Sequence, residues 1–496
     1  FPKTEPMVFR KVRRVQPEWA ARPIADRAAV VARVAGYVAD HVDELAETVS
    51  QCTGKPRVDA LATEVLPTAM MSRYYARNAV RFLKPRRLAP GSALFINKRS
   101  TLYREPYGVV GIISPWNYPL GIPMHEVIAG LLAGNAVLLK VATQAQPVGD
   151  AIAEMFRAVG LPAGLLHVLH LPGGAAAEAF FDVGIGKLFF TGSTEVGKEL
   201  AVKAGERLIP VGLELGGNDA MIVLPDANLP RAAAGAIWAG LSNTGQSCGA
   251  VERIYVHDEV YDRFMTELRP RVAALRVGAD VDFNVDLGSL TTAAQRDTVR
   301  DHLADALAHG GVETARSADA AGDLYHPAVV VEDADDESAV MRHETFGPLL
   351  AVSRVYSVDE AITRADSGYL GLTASLWTAD GRHARALARR LEAGAITVND
   401  HLMSHGMAET PWGGFKQSGI GRSHGELGVH EMTQPKVVVE ERLPWMRKNM
   451  WWHPYGKSVY DALAGALVAL YGRGVGRRLA GVRRAASLFI RRAFRG

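Results

Sequence analysis

Cysteine is scarce in this sequence, with two among 496 residues. Cys52 and Cys248 form neither a CxxC pair nor a disulfide framework, so we assign no metal ligands and expect free thiols in a reducing compartment. The N-terminus has no apolar leader, and no uninterrupted apolar run reaches the roughly 18 residues that a membrane span needs. A soluble, cytoplasmic protein is therefore the expectation.

Acidic side chains are nearly missing from residues 443–496, which we call the tail. The tail carries eleven Lys and Arg and one acid, Asp461, whereas residues 1–442 hold 45 basic and 52 acidic side chains. Because the positive charge belongs to the tail alone, we do not expect the protein as a whole to bind nucleic acid.

Short apolar runs alternate with longer amphipathic ones from Val109 onward. The predicted strands are 109–114, 135–140, 165–171, 187–192 and 220–224, and the predicted helices are 120–133, 147–159, 174–182 and 194–205. This alternation predicts an α/β fold with parallel sheets covered by helices on both faces.

The same pattern divides the chain into two α/β domains with smaller additions. Residues 1–92 and 108–218, with a helical stretch at 24–84, form the first domain, and residues 219–418 form the second. Its further strands are predicted at 252–257, 327–332, 349–356 and 394–399. A β-hairpin at 93–107 leaves the body and forms a small arm with 419–442, and the tail follows.

The dinucleotide fingerprint GxGxxG is missing. In its place "FFTGSTEVGKEL" (189–200) ends a strand, turns at Gly192 and opens a helix whose first-turn N–H groups could bind a pyrophosphate. Ser193 would add a hydroxyl donor there. The alternative is a structural junction in which Ser193 caps the helix.

Three stretches offer reactive or polar groups. Asn117 in "PWNYP" (115–119) follows a strand directly and offers an amide donor, or it satisfies its own turn. Glu214 in "LELGGN" (213–218) is a partly buried general base or an ion-paired carboxylate. Cys248 in "GQSCG" (245–249) is a nucleophile or an inert core thiol, and its glycine neighbours favour a bare, flexible backbone that a substrate can approach.

Taken together, six motifs resemble the aldehyde dehydrogenase superfamily. They are "PWNYP", "FTGSTEVG", "LELGGN", "GQSC", "ETFGP" (344–348) and "PWGGFKQSGIGR" (411–422), in the family's order and at near-family separations. The resemblance covers roughly residues 20–440. It implies a cofactor-binding first domain, a catalytic second domain and an arm that serves oligomerisation.

The resemblance also implies roles for the reactive residues. Cys248 attacks the aldehyde carbon, the Asn117 amide and the Cys248 backbone N–H hold the resulting oxyanion, and a nicotinamide accepts hydride. Glu214 activates the water that hydrolyses the thioester. Glu426 matches a second family glutamate that is sometimes assigned to a proton relay.

The cofactor contacts carry over in the same way. The residues implied are Trp116, Lys140, Gly192, Ser193, Leu215, Glu344 and Phe346. The family's frequent "KPSE" is "KVAT" (140–143) here, so Thr143 stands where a glutamate prefers a free ribose 2′-hydroxyl. Because that carboxylate is missing while Lys140 remains, we expect NADP to be accepted alongside NAD.

Positions that line the family's substrate tunnel fall on Tyr118, Gly121, Ile122, His125 and Gly249. None is an arginine, so we expect a medium or bulky apolar aldehyde, aliphatic or aromatic. A semialdehyde stays open as an alternative. Two further alternatives are a CoA-acylating enzyme and a catalytically silent structural protein. Retention of Glu214 favours water over coenzyme A as the acyl acceptor.

The tail opens with Trp445, Trp451 and Trp452, continues as an apolar helix and ends as a basic amphipathic helix. Two partners are open for it. Packing on another copy of the chain, in a homodimer or homotetramer, is favoured because an apolar helix needs a dry partner. An anionic membrane surface is the alternative.

Overall fold

The computed structural model describes the backbone of residues 5–449 and 452–494, and the side chains of residues 12–449 and 452–486. The predicted tryptophan cluster therefore includes one member, Trp451, that lies outside the described residues. The chain divides into two compact units. The first comprises Phe1–Lys84 and Arg104–Gln434, and the second comprises Pro85–Tyr103 and Pro435–Gly496.

The helices alternate with strands through most of the first unit. Its α-helices are Glu5–Ala20, Ile24–Ala32, Val34–Asp40, Val42–Thr53, Arg57–Ala60, Leu66–Leu83, Gly121–Ala133, Gln146–Ala158, Gly173–Asp182, Thr194–Gly205, Leu229–Leu241, Tyr261–Ala273, Ala293–Ala308, Ala339–Arg342, Val358–Ala365, Gly381–Ala388, Met403–Gly406 and Gly425–Glu431. A π-helical turn, Leu61–Val65, precedes Leu66–Leu83, and short 3₁₀ turns lie at Ala93–Phe95, Thr143–Ala145, Ser242–Gly245 and Asp258–Val260.

A six-stranded sheet, the first sheet, forms the centre of the cofactor-type half. Its strand order is Gly419–Ile420, Val211–Glu214, Lys187–Thr191, Val109–Ile113, Ala136–Lys140 and Leu166–Val168. All neighbours are parallel except the short edge strand Gly419–Ile420. The chain runs outward in both directions from Val109–Ile113, and such a switch point places ligands at the carboxyl ends of the strands.

A seven-stranded second sheet has the order Val312–Arg316, Val329–Glu332, Leu349–Val355, Val251–His257, Asp219–Val223, Thr373–Trp377 and Ala395–Val398. It is parallel except at Val312–Arg316. Alternate residues of one strand enter separate cores: Val329 and Val331 face one, and Val330 faces the other. Burial on both faces explains the uninterrupted apolar runs that predicted these strands.

These two sheets confirm the predicted α/β class. The strand Thr373–Trp377 was not predicted, although all five of its residues are buried. Directly before this strand in the sequence, Leu370–Gly371 pairs antiparallel with Phe415–Lys416 in a separate two-stranded sheet. The boundary between the predicted domains 1–92 with 108–218 and 219–418 stays a prediction.

The second unit contains a three-stranded sheet and two tail helices. Arg86–Leu88 pairs antiparallel with Lys98–Pro106, whose other neighbour is Thr433–Glu441. The hairpin predicted at 93–107 therefore begins earlier, because Arg86–Leu88 supplies its first strand and 93–95 lies in the connecting loop. The tail helices are Lys457–Tyr471 and Val475–Phe494.

Part of the predicted arm 419–442 lies in the first unit instead. Gly419–Ile420 pairs with Val211–Glu214, and helix Gly425–Glu431 packs against helices Leu66–Leu83 and Gly121–Ala133. Only the strand Thr433–Glu441 joins the second unit's sheet. The sequence missed this division because the two-residue strand Gly419–Ile420 is too short to produce an apolar pattern.

Candidate active site

Cys248 follows a turn, Ser242–Gly245, that is held in an unusual conformation. Residues 243–245 all have positive φ, between 52° and 75°. A Cβ at Gly245 would come within 2.1 Å of the carbonyl oxygen of Gly347, so glycine is required there. The glycine that the sequence associated with a flexible backbone therefore permits a tightly packed turn.

Two cavities meet at Cys248, and it is the one described residue that borders both. The first cavity, of about 260 Å³, lies at the carboxyl ends of the first sheet's strands. It is lined by Pro115, Trp116, Asn117, Thr191, Gly192, Ser193, Glu214, Leu215, Gly216, Cys248, Gln295, Thr298, Glu344 and Phe346. All of the predicted site residues except Lys140 border it.

The second cavity, of about 280 Å³, is apolar. It is lined by Ala62, Thr63, Leu66, Pro67, Met70, Tyr118, Trp238, Ser247, Cys248, Leu402, Met403, His405, Gly406 and Trp412. None of these described residues is a lysine, arginine, aspartate or glutamate. Burial lowers the pKa of His405 to about 4, so its imidazole is neutral at pH 7.

The second cavity differs from the predicted tunnel. Tyr118 borders it, but Gly121, Ile122, His125 and Gly249 do not. His125 lies instead in a buried stack, with its ring centroid 3.5 Å from that of His424. The walls that the sequence missed come mainly from the first turns of helix Leu66–Leu83 and from residues 402–406, which carry no local motif, and from Trp412, whose motif was not connected with the tunnel.

Asn117 is buried at the base of the first cavity. Its Nδ2 donates to the carbonyl oxygen of Gln246 at 3.1 Å, two residues before Cys248. Its Oδ1 has no hydrogen-bond partner among the described residues. The side chain is thereby fixed beside the cysteine loop, and Asn117 is one of the residues that line the cavity.

The backbone around Asn117 is held by a buried ion pair. Lys55 Nζ lies 2.7 Å from Glu64 Oε1, and both side chains are fully buried. The same ammonium donates to the carbonyl oxygen of Asn117 at 2.7 Å. Glu64 Oε2 accepts the backbone N–H groups of Leu120 and Gly121 at 2.7 and 3.1 Å. No motif pointed to this pair.

Glu214 is the last residue of its strand, and one of its two carboxylate oxygens accepts a hydrogen bond while the other has no partner among the described residues. Oε1 accepts the backbone N–H of Ser423 at 3.2 Å, and the buried Oε2 has no partner among the described residues. Burial, followed by the nearby Glu126 carboxylate, raises the pKa of Glu214 well above its ordinary value. A carboxyl group in this environment is a proton acceptor near neutral pH.

Glu426 does not belong to the site. Its side chain is 52% exposed and pairs with His430 one helical turn away. The relay expectation is therefore wrong for Glu426. Glu126 is the second carboxyl that acts on Glu214; it is buried, and burial raises its pKa to about 8. No motif points to Glu126, which is indistinguishable in the sequence from any other helical glutamate.

The thiol of Cys248 is protonated in this environment. Burial, then the carboxylates of Glu344, Asp219 and Glu214, raise its pKa above the usual value. Formation of the thiolate therefore requires a base or a change in the local charge.

Glu344 lies against a pair of glycines. Its Oε1 accepts the backbone N–H of Gly217 at 3.1 Å, and a Cβ at Gly216 would come within 2.4 Å of the carboxylate. Burial raises the pKa of Glu344 well above its ordinary value. The "GG" of "LELGGN" thus makes room for this acid.

Phe346 has a positive φ of 54° and contacts Trp116 edge to face, with ring centroids 5.5 Å apart. The buried carboxylate of Glu252 fixes this segment. It accepts the backbone N–H groups of Thr345 and Phe346 at 2.8 Å each. The sequence missed Glu252 because its partners lie 93 and 94 residues away.

Ser193 caps its helix, as one of the two interpretations expected, and its role toward a pyrophosphate stays a prediction. Its hydroxyl caps helix Thr194–Gly205 by accepting from the N–H of Val196 at 3.4 Å, and it borders the first cavity. Gly192 lies so close to Phe190 that a Cβ would meet the ring at 2.5 Å. Leu215 fills the space that Gly197 leaves in the helix.

Lys140 ends its strand as a buried cation. Burial alone lowers its pKa, with no acidic side chain contributing. Thr143 is exposed three residues on, at the start of a 3₁₀ turn. This combination offers an anion a positive charge without a competing carboxylate.

A cysteine that borders two cavities at the carboxyl ends of a doubly wound sheet can hold a ligand next to a nucleophilic thiol, as in enzymes that use a cysteine nucleophile. The sequence profile described as "Aldehyde dehydrogenase family" matches residues 6–438. The chain belongs to the aldehyde dehydrogenase family, and the predicted family membership and enzyme class are confirmed.

Individual relatives agree with this assignment. A 4,4'-diapolycopene aldehyde oxidase of Methylomonas is 37% identical over 483 residues, covering 95% of this chain and 89% of the relative. A Mycolicibacterium smegmatis protein, provisionally named succinate-semialdehyde dehydrogenase (NADP(+)), is 39% identical and covers 88% of this chain and 84% of the relative. The solved succinate-semialdehyde dehydrogenase of Burkholderia pseudomallei has a TM-score of 0.83 at 30% identity, covering 88% of this chain and 90% of that one.

Proposed function

We propose that the protein oxidises an apolar aldehyde, aliphatic or aromatic, to the carboxylic acid with NAD or NADP. The observation that carries this proposal is the position of Cys248. Cys248 borders an apolar cavity, with no charged side chain among its described lining residues, and another cavity that contains Glu214, Glu344, Asn117 and Ser193 at a sheet switch point. An aldehyde in the former and a dinucleotide in the latter would meet at the sulfur.

The residues of the first cavity fit a nicotinamide dinucleotide. Glu344 would accept hydrogen bonds from ribose hydroxyls, Phe346 and Trp116 would flank the rings, and Gly192 and Ser193 would face the pyrophosphate. The buried, uncompensated Lys140 suits the adenosine end. When bound, the dinucleotide supplies a hydride acceptor.

Catalysis begins at the sulfur. Glu214 removes the proton of the Cys248 thiol and releases it to solvent before the hydrolysis step. The resulting thiolate forms a bond to the aldehyde carbon, and the carbonyl π-bond breaks to give a thiohemiacetal oxyanion. The Asn117 amide and the backbone N–H of Cys248 donate to that oxygen. Its collapse re-forms the carbonyl and leaves a thioester on Cys248, and the hydride lost from the carbon would pass to the dinucleotide held in the first cavity.

Hydrolysis then needs a base, and Glu214 is placed to act as one. Its unpaired Oε2 removes a proton from a water molecule that adds to the thioester carbonyl. The sulfur leaves as the thiolate and the carboxylic acid is released. The presence of Glu214 supports water, rather than coenzyme A, as the acceptor.

The walls of the second cavity support the apolar substrate over a semialdehyde. Binding a distant carboxylate needs a cation, and no described lining residue provides one. Two relatives named above are succinate-semialdehyde dehydrogenases, which keeps that substrate as the second candidate. The diapolycopene aldehyde in the other relative's name agrees with the first.

For the cofactor, we propose that NADP is used alongside NAD. Thr143 removes the carboxylate that would repel a 2′-phosphate, and the provisional name of the M. smegmatis relative includes NADP(+). We further propose a cytoplasmic homodimer or homotetramer. Strand Thr433–Glu441 is a sheet edge with exposed Val437, Val438 and Val439, which suits strand pairing between copies.

Formation of reduced nicotinamide with a panel of aldehydes tests the proposal. Apolar aliphatic and aromatic aldehydes should give a higher kcat/KM than succinate semialdehyde, with no need for coenzyme A. The Cys248→Ser variant should lose activity by at least about 10³-fold, because a hydroxyl is a far weaker nucleophile than a thiolate. Cys52→Ser is the matched control and should retain it. A preference for the semialdehyde would contradict the substrate assignment.

A further inference from the structure

The tail folds into a helical hairpin in which one side of the first helix is buried. Helices Lys457–Tyr471 and Val475–Phe494 pack on each other. A Cβ at Gly481 would come within 2.6 Å of the carbonyl oxygen of Gly465, so the two backbones are in direct contact. Val459, Ala462 and Ala466 are buried. One side of the apolar helix is thus packed within the tail itself, while Leu467 on the same helix remains 61% exposed.

The second helix keeps an apolar face that nothing in the described hairpin covers. Val475, Leu479 and Val482 are 76%, 56% and 52% exposed, and Ala486 is exposed as well. Their spacing of four, three and four residues places them along one side of the helix, and we call this row the tail stripe. The stripe is narrow and begins at the helix's first residue.

Positive charge borders the tail stripe on both sides. At 100° per residue, Arg478 lies on one flank and Arg483 on the other, while Arg477 and Arg484 lie opposite the stripe. Among the described tail arginines, Arg484 alone pairs with an acid, Asp461. Tyr460 and Tyr471 add phenol rings that are 71% and 69% exposed.

We propose that the hairpin docks on the surface of an anionic phospholipid bilayer, with the tail stripe in the headgroup region. A narrow aliphatic row between arginines, with exposed tyrosines, suits an interface that is apolar below and anionic above. No helix among the described residues has the length and apolar character needed to cross a membrane. The hairpin would therefore lie on the surface.

A second copy of the chain fits this face less well. A protein partner would have to provide an acid for each arginine that it covered, whereas lipid phosphates form a continuous anionic layer. The alignment with the diapolycopene aldehyde oxidase covers 95% of this chain and therefore includes part of the tail. The tail is thus aligned, at least in part, with residues of that relative. Docking on lipid does not depend on the proposed substrate.

The test is co-sedimentation of the full-length protein with lipid vesicles. Vesicles of equal parts phosphatidylglycerol and phosphatidylcholine should pellet the protein, and added salt should release it. Vesicles of phosphatidylcholine alone should bind it at least about tenfold more weakly, because each arginine near an anionic surface contributes roughly 1 kcal/mol.

Two variants separate the apolar and charged parts of the surface. The double variant Leu479→Ser with Val482→Ser should weaken binding by about tenfold or more, since buried aliphatic area is lost. Arg478→Gln with Arg483→Gln should weaken binding to anionic vesicles and reduce its salt dependence. Val202→Ser with Leu208→Ser removes exposed aliphatic side chains from the first unit and is the matched control. It should bind like the unmodified protein.

Aldehyde oxidation and melting temperature of each variant establish that it is folded. Absence of binding to anionic vesicles by the unmodified protein would overturn the proposal. The proposal would also be overturned if the Leu479→Ser, Val482→Ser variant bound anionic vesicles as well as the unmodified protein does. A third contradicting result would be a change in oligomeric mass in this variant together with no vesicle binding by the unmodified protein. The last result would make the tail stripe an interface between copies.

Discussion

Lys55 Nζ lies 2.7 Å from Glu64 Oε1, and both side chains are fully buried. Together they bind the backbone on both sides of Tyr118: the lysine holds the Asn117 carbonyl, and the glutamate holds the N–H groups of Leu120 and Gly121. A buried pair of this kind acts as a clamp on the loop that presents the Asn117 amide. The pair contributes more to the position of this loop than to the net stability of the fold, because the cost of desolvating both charges offsets much of their mutual attraction.

Removing one partner of this pair should be costly. Lys55→Met leaves Glu64 as an unpaired buried carboxylate, and we expect the free energy of unfolding to fall by about 3–5 kcal/mol. Urea unfolding measures it. The double variant Lys55→Met with Glu64→Gln, which buries no lone charge, should recover part of that loss. A single variant as stable as the unmodified protein would contradict a buried ion pair.

Asn117→Ala should lower kcat by about 10²–10³, with a small effect on KM, because the donor is needed most when the oxyanion forms. Steady-state kinetics with a good aldehyde measures this. A melting temperature close to that of the unmodified protein separates loss of the donor from loss of the loop. If KM rose while kcat stayed constant, Asn117 would bind substrate rather than the transition state.

Glu214→Gln should slow hydrolysis of the thioester by about 10²–10⁴ while leaving hydride transfer largely intact. Rapid mixing should then show one equivalent of reduced nicotinamide per site followed by very slow turnover. Glu426→Gln is the matched control. The Glu426 side chain is exposed and is not among the residues that line either cavity, so this variant should hydrolyse the thioester and turn over at the rate of the unmodified protein.

The pH dependence follows from the raised pKa of Glu214. The carboxylate is the active form of the base, so kcat should rise with pH through the pKa of Glu214. Because burial moves that pKa well above 4.5, the acid limb should lie closer to neutrality than for an exposed glutamate. The Glu214→Gln variant should lose this limb, and an unchanged limb would assign it to another group.

Thr143→Glu should shift cofactor preference toward NAD by roughly tenfold or more, because the new carboxylate repels a 2′-phosphate. The ratio of kcat/KM with NAD to that with NADP measures the shift. Thr143→Gln adds similar bulk without charge and should change the ratio little. A preference of the unmodified protein for NAD above about a hundredfold would contradict dual use.

Much of the fold was predictable because its strands are buried on both faces. Runs such as 109–114 and 187–192 have no other stable location than a covered parallel sheet, and the structure places strands at Val109–Ile113 and Lys187–Thr191. Short elements escaped prediction. Arg86–Leu88 carries two arginines and no apolar run, so only its pairing with Lys98–Pro106 reveals it.

The site residues also fall into those that the sequence predicts and those that it does not. Cys248, Glu214 and Asn117 lie in distinctive local motifs, and the fold brings all three to one cavity. Glu252 and the Lys55–Glu64 pair carry no such motif, because a buried charge and a surface charge are identical in sequence. Their roles depend on partners many residues away and become visible once the chain is folded.

The two cavities share Cys248 and no other described lining residue. A ligand in one cavity therefore shares with a ligand in the other only the contact with Cys248, and we expect the two to bind without displacing each other. An unreactive analogue of the aldehyde should compete with aldehyde alone and leave dinucleotide affinity unchanged. A single molecule that reached past Cys248 into both cavities would bury surface in each and should bind more tightly than either half alone.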